Sequence, residues 1–194
     1  LEVMKLGYEE FDLSGVRRYP LASRASKVQR EDLARPFTPG SGMKGLLAGL
    51  PRLLAARDFV DVVEAILAAK HRPAPVVWGL GAHVVKVGLG PVLVDLMERG
   101  FVSALALNGA GVIHDVEIAM AGATSEDVDA TLGPGAFGMA EETGRGINAA
   151  IVEGVTAGHG LGLAVADWLA RSRPAHAEAS ILCAAARLRI PVTV

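Results

Sequence analysis

The sequence predicts an α/β fold in which helices cover both faces of a parallel sheet. Two short apolar segments, residues 75–79 and 101–107, are typical of buried strands, and each leads into a glycine-bearing turn and a helical pattern. This alternation with short connections requires parallel strands and right-handed crossovers. Aromatic residues make up only 5% of a chain that is half hydrophobic, so we expect tightly packed layers of Ala, Val, Leu and Ile.

The remaining elements follow from spacing. Apolar residues over 46–69 predict two helices, broken near Pro51 and Arg57–Asp58, and the terminal segment IPVTV is predicted as a strand. Further helices are predicted over 139–155, 161–170 and 176–189. We therefore divide the chain into an N-terminal arm over 1–45, which shows little periodicity, and one α/β domain over 46–194. Because the chain starts without methionine and ends on an apolar strand, we expect the domain to continue past Val194.

Composition excludes several classes of partner. The net charge of −2 arises from 19 basic and 21 acidic residues without a one-sided run, which argues against nucleic-acid binding. The single cysteine, Cys183, cannot form an internal disulfide and suits a reducing compartment. No uninterrupted apolar stretch reaches membrane-spanning length, and the first residues do not resemble a signal peptide. We expect a cytoplasmic protein that contacts no membrane.

Two glycine-bearing turns, 79–88 and 108–115, follow the first two predicted strands. In open parallel sheets, ligands bind outside the carboxyl ends of the strands, and exposed amides at a helix start favour an anion such as pyrophosphate. Both turns therefore suit a dinucleotide. The second turn reads G-A-G-V-I-H, however, and places His114 where the usual fingerprint has its third glycine. No acidic residue ends a following strand at the usual distance, so a purely structural turn between strand and helix is the open alternative.

The densest polar cluster in this apolar region comprises His114, Asp115 and Glu117, with His83 and Lys86 in the neighbouring turn. His114 suits proton exchange near neutral pH, with Asp115 or Glu117 orienting it. The alternative is an acidic cluster that interacts with the helix dipole and has no further role. No metal-ligand spacing is present, so we predict no metal site. Lys86 is expected either to extend to solvent or to meet a carboxylate or phosphate.

Several stretches in order resemble the deoxyhypusine synthase family. The segment GLGAHVVKVGLGPVLVDLMERGFVSALALNGAGVIHD is similar to the family's small-residue loop, helix, strand and His-Asp turn. GPGAFGMAEETGRGIN resembles its Gly-x-Phe, paired-acid and Gly-Ile-Asn stretch, and AEASILCAAARLRIPV resembles its Ser-Ile-Leu helix before an Ile-Pro-Val strand. The similarity covers roughly residues 75–194.

The resemblance implies a Rossmann-like α/β fold, a homotetramer, and NAD as cofactor. It also implies transfer of the aminobutyl group of spermidine, a polyamine, through an imine on an enzyme lysine to an amine acceptor such as a protein lysine. Carried over by motif, His114 and Asp115 fall in the second NAD-contacting turn, where we predict them as the catalytic residues, and Glu141 and Glu142 match the family's paired acids. The implied NAD contacts are Ala82, His83, Val87, Gly88, Asn108, Gly109 and Ala110.

This chain departs from the family at two points. Asn108 stands for the family's threonine, and His83 and Lys86 replace smaller polar residues, so the pocket is expected to differ. No lysine follows Lys86, and the family's catalytic lysine lies beyond the Ile-Pro-Val strand, so we expect that lysine segment to be missing here. The alternative hypothesis is a non-catalytic nucleotide-binding or assembly module of the same fold.

Overall fold

Among the residues that the structure describes, three short parallel strands form a sheet in the order β1-β2-β3. The computed structural model of the chain describes residues 11–72, 74–133 and 135–194. The strands are β1 (Val77–Gly79), β2 (Ala104–Ala106) and β3 (Val192–Thr193). Trp78 lies opposite Leu105 in the first pair, and Leu105 lies opposite Val192 in the second. The predicted parallel α/β arrangement is therefore confirmed at this level, with a small sheet.

Helices form most of the other elements. Within the described residues they are α1 (Gly42–Gly49), α2 (Leu54–His71), α3 (Ala82–Lys86), α4 (Gly90–Glu98), α5 (Gly109–Ala121), α6 (Val128–Leu132), α7 (Ile147–Thr156), α8 (Leu161–Ser172) and α9 (Ile181–Leu188). A π-helical turn, Glu142–Gly146, precedes α7 directly. The predicted helices on either side of Pro51 are confirmed, whereas the predicted break near Arg57–Asp58 is wrong, because α2 runs through those residues. The sequence pattern missed α3 and the π-helical turn because both are too short to show a period.

The chain divides into two units, one ending at Asp61 and one beginning at Val62. In the first unit, the Arg35 guanidinium donates a hydrogen bond to the carbonyl oxygen of Ala48 at 2.7 Å, and the Arg35 amide donates to that of Gly49 at 2.9 Å. These bonds hold the segment before α1 against its last turn. The second unit contains the whole sheet and the two predicted ligand-binding turns.

The second unit has two apolar clusters, and helices supply most of the residues in both. The first is built around Val85, Leu93, Met97, Leu105 and Ile181. The second is built around Val112, Val116, Val165, Leu169 and Leu182. Leu107 and Val192 pack against both clusters. Aliphatic side chains dominate, as the composition predicted, because short strands and closely spaced helices leave little room for large rings.

Glycines allow two helices to approach their neighbours closely. A Cβ atom added to Gly162 in α8 would overlap the carbonyl oxygen of Val192 in β3, and one added to Gly154 in α7 would overlap the Cβ of Ala164. The helix α8 therefore lies directly on the sheet edge because residue 162 has no side chain. By contrast, Gly160 at the start of α8 has no atom within 4 Å of its added Cβ.

The sequence predicts no membrane-spanning helix. Across residues 11–72, 74–133 and 135–194, no single helix has the length and apolar character needed to cross a bilayer. One pair of helices bent by 115°, Glu142–Thr156 with Leu161–Ser172, meets the criteria of length and composition only when both are counted together.

Replacement of Gly162 tests the close contact between α8 and β3. Gly162→Ala is expected to lower the free energy of unfolding by roughly 2 kcal/mol, because the added methyl group must displace the backbone of β3. Gly160→Ala, two residues earlier and in open space, is expected to lower it by only about 0.5 kcal/mol, because alanine is a poorer N-cap residue than glycine. Chemical denaturation of both variants measures the difference, and equal stabilities would contradict the packing described.

Candidate functional site

The two glycine-bearing turns lie side by side at the carboxyl edge of the sheet. The strand β1 enters α3 through Leu80 and Gly81, and β2 enters α5 through Leu107 and Asn108. A Cβ atom added to Gly111 would lie 3.7 Å from the Cα of Ala82. Since adjacent parallel strands end at the same edge, their turns meet there, as the sequence predicted.

The start of α5 presents amides that have no partner within the helix. Asn108 is the N-cap residue, and its side-chain oxygen accepts a hydrogen bond from the Gly111 amide at 2.9 Å. Gly109 and Ala110 follow as the exposed first residues of this 13-residue helix. Their amides have no acceptor within the helix, because the first turn of any helix lacks preceding carbonyls. These two N–H groups are available to an anion.

Glycines keep the surroundings of those amides open. No atom lies within 4 Å of a Cβ added to Gly79, Gly81 or Gly109. Such positions let a ligand approach the backbone directly, which a side chain would prevent. We call the surface formed by Gly79, Gly81, Asn108, Gly109 and Ala110 the sheet mouth.

The other predicted contacts of the first turn lie at different distances from the sheet mouth. Ala82 begins α3 at the mouth, and the exposed His83 follows it. Val87 and Gly88 follow the last residue of α3, and their contact with a cofactor stays a prediction. Lys86 is exposed, which agrees with the expectation that it extends to solvent.

Asp115 is fully buried and caps a second helix. Its carboxylate accepts hydrogen bonds from the Ser180 hydroxyl at 2.6 Å, the Ile181 amide at 2.8 Å and the Leu182 amide at 3.0 Å. It thereby satisfies the first amides of α9, which no residue within that helix can do. The structure separates this carboxylate from the His114 side chain, although the two residues are adjacent in sequence.

Burial controls the ionisation of this carboxyl group. Removal from water raises the pKa of Asp115 above its usual range, and the hydrogen bonds from Ser180, Leu182 and Ile181 oppose that rise. The same donors point at the carboxylate from the positive end of α9. Three donors on one buried carboxyl group make it a structural centre of the fold.

His114 belongs to a separate polar network. Its Nδ1 atom lies 2.7 Å from the Thr124 hydroxyl, and that hydroxyl in turn donates to Oε2 of Glu117. Thr143 completes the network with a bond of 3.4 Å to Oε1 of Glu117. Of the two orienting carboxylates that the sequence suggested, the structure places Glu117 beside the imidazole, with Nδ1 and Oε2 3.7 Å apart.

A cavity of about 580 Å³ opens beside this network. Its walls come from α5, the segment after α5 and the π-helical turn. The polar lining residues are Glu117, Thr124, Ser125, Glu126, Glu142 and Thr143. The apolar lining residues are Val116, Met120, Ala121, Ala123 and Ala140. In the described part of the chain, no group of three or more His, Cys, Asp or Glu side chains is arranged to hold a metal ion.

The π-helical turn is held in place by an aromatic ring. A Cβ atom added to Gly146 would lie 2.8 Å from Cζ2 of Trp168 in α8, so residue 146 must be small for the ring to pack there. Turns of this type recur at functional sites because they move side chains out of the regular helical register. Here the turn carries Thr143 to Glu117 across 26 residues of sequence.

Sequence reasoning missed three polar residues of this region. Thr124 and Thr143 bond to Glu117 from later segments, and Ser180 bonds to Asp115 across 65 residues. Only Ser180 has a local signal, since it also caps α9 by accepting from the Cys183 amide at 3.0 Å. Isolated threonines in loops carry no comparable pattern.

Comparisons with known proteins give matches to solved structures and to no sequence family. No family model matches the sequence, and no curated protein does. Solved structures that match include the crystal structure of a "conserved putative LOR/SDH protein" from Methanococcus maripaludis S2, with 16% identity and a TM-score of 0.45. The match covers 95% of this chain and 46% of that one, so the chain spans about half the length of that structure. This degree of similarity transfers no function.

The resemblance to deoxyhypusine synthases is wrong. No family model or curated protein supports it, and a solved structure that does match is described as a LOR/SDH protein. The spermidine substrate and the aminobutyl transfer rested on that resemblance and fall with it. The motifs misled because glycine turns and small-residue helices satisfy packing requirements common to many parallel α/β sheets. The tetramer and the protein acceptor are untested predictions.

Replacement of Asp115 tests its structural role. Asp115→Ala is expected to lower the free energy of unfolding by about 3 kcal/mol, because three buried donors lose their acceptor. As a matched control, Asp95→Ala removes an exposed carboxylate paired with Arg99 and should cost less than about 0.5 kcal/mol. Thermal and urea unfolding measure both variants. Similar losses would contradict the assignment of Asp115 as the cap of α9.

Proposed function

We propose that the protein binds NAD at the sheet mouth. The observation that carries the proposal is the pair of exposed first-turn amides of Gly109 and Ala110, next to glycines whose Cα atoms face open space. Amides at a helix start carry partial positive charge and favour phosphate groups. The turns after β1 and β2 are adjacent, so an extended ligand with a pyrophosphate and two nucleosides can lie across both.

The residues present fit the phosphates of such a ligand. The Asn108 side-chain oxygen is occupied by the Gly111 amide, so its NH₂ group is the part left to donate to a ligand. Gly79 and Gly81 allow the ligand to contact the backbone of the neighbouring turn. NAD supplies a hydride acceptor when bound, and the role of the sheet mouth is to hold and orient its phosphates.

The two apolar clusters support a Rossmann-like arrangement with helices on both faces of the sheet. In the usual fingerprint, the third glycine permits close packing of helix and strand. His114 occupies that position here, but its ring is directed to Thr124, while Val112 and Val116 are buried in the core. A histidine is therefore compatible with the packing of α5. No carboxylate stands at the described strand ends, so the proposal assigns no acidic residue to the ribose.

Gly109→Glu tests this proposal with little expected effect on folding. The new side chain enters open space, and a negative charge at a helix start stabilises the helix. The same charge repels pyrophosphate, so the dissociation constant for NAD is expected to rise roughly tenfold or more. Isothermal titration calorimetry of the wild-type and variant proteins measures this change.

Two control variants separate charge from bulk and from position. Gly109→Gln adds similar volume without charge and is expected to weaken NAD binding less than Gly109→Glu does. Gly160→Glu places the same charge at the start of α8, another open position, and should leave binding unchanged. Absence of NAD binding to the wild-type protein, or equal affinity for wild type and Gly109→Glu, would refute the proposal.

A further inference from the structure

The cavity beside Glu117 forms a second polar site, on a different part of α5 from the sheet mouth. Glu117 lies nine residues along α5 from Asn108, which corresponds to roughly 13 Å at 1.5 Å per residue. Its side chain is about one quarter exposed and lines the cavity. The residues that line this volume include none of the sheet mouth, and the volume is large enough for a small organic molecule.

Hydrogen bonding on the protein side fixes the orientation of the Glu117 carboxylate. The Thr124 hydroxyl has one proton, and it donates that proton to Oε2 of Glu117. The contact between Thr124 and His114 must therefore use the Nδ1–H group of the imidazole as donor. The result is a directed chain from His114 through Thr124 to Glu117, and Thr143 restrains the other carboxylate oxygen.

The charge of the lining determines which ligands are acceptable. Three glutamates, Glu117, Glu126 and Glu142, face the cavity, and none of the Lys or Arg residues that the structure describes lines it. Glu126 is already engaged by the Gly138 amide at 2.8 Å. A ligand with a carboxylate or phosphate would meet like charge without compensation, whereas a ligand with N–H or O–H groups would meet acceptors.

The apolar lining residues determine what the body of the ligand must be. Val116 and Met120 of α5, together with three alanines, form a wall that suits a hydrocarbon group. We propose that this cavity binds a small organic ligand with an apolar body, which presents N–H or O–H donors to Glu117 and carries no negative charge. In this site Glu117 contacts the ligand, and His114 is a positioning residue that acts through Thr124.

Three probes of similar size test the proposed selectivity. Benzylammonium and benzyl alcohol carry the required donor on an apolar ring, and benzoate carries the excluded negative charge. With isotope-labelled protein, millimolar benzylammonium and benzyl alcohol are expected to shift the amide resonances of Thr124, Ala140 and Thr143, and benzoate is not. Binding of benzoate as tight as that of benzylammonium, or no shift with benzylammonium, would overturn the proposal. None of the probes contains a phosphate, so failure of NAD binding does not affect this result.

Variants of the network distinguish binding from positioning. Glu117→Gln is expected to weaken benzylammonium binding roughly tenfold, because a charged acceptor is lost. Glu141→Gln should not change it, since Glu141 is exposed, pairs with Arg145 and does not line the cavity.

For the positioning role, His114→Leu is expected to weaken binding several-fold, and His114→Asn, which retains a donor near the Nδ1 position, is expected to restore most of the affinity. Equal affinities for wild type and Glu117→Gln would refute the site, and equal affinities for wild type and His114→Leu would refute the relay. Unfolding curves verify that each variant is folded. If a variant fails to fold, the three probes on the wild-type protein decide the proposal.

Discussion

The buried carboxylate of Asp115 is the interaction on which the arrangement of the second unit depends. It extends from the middle of α5 and accepts hydrogen bonds from the first residues of α9. The helix α9 leads directly into β3, so this cap fixes where the third strand joins the sheet. Ile181 packs in one apolar cluster and Leu182 in the other, and both donate to Asp115. One carboxylate therefore holds the start of α9 by residues that pack in both apolar clusters.

The same contact sets the rotation of α5 about its axis. Neighbouring helical residues point about 100° apart at 3.6 residues per turn, whereas residues three apart share a face. With Asp115 directed at α9, His114 and Glu117 both face Thr124, and Glu117 lines the cavity. The first residues of α5 form part of the sheet mouth. A single helix thus presents one end to the proposed nucleotide and one side to the proposed organic ligand.

Much of the α/β framework was predictable because it follows from local patterns. The apolar strand ending at Gly79 and the glycine turn after Leu107 appear in the sequence as they do in the structure, and Asn108 caps α5 as its residue type favours. The family assignment failed because these local patterns are shared by many unrelated parallel α/β sheets. Small residues at these turns are required by close packing of backbone, so their order along the chain is weak evidence of common function.

The sequence by itself determined that parallel strands alternate with helices, and that two glycine-bearing turns meet at one edge of the sheet. These features depend on periodicity and backbone freedom, which adjacent residues specify. Only the tertiary structure decided that Asp115 caps α9 while Glu117 pairs with His114, because the partners Ser180, Thr124 and Thr143 come from distant segments. Asp115 and Glu117 carry the same chemical group two positions apart in the sequence. Their different surroundings in the folded protein give them different roles.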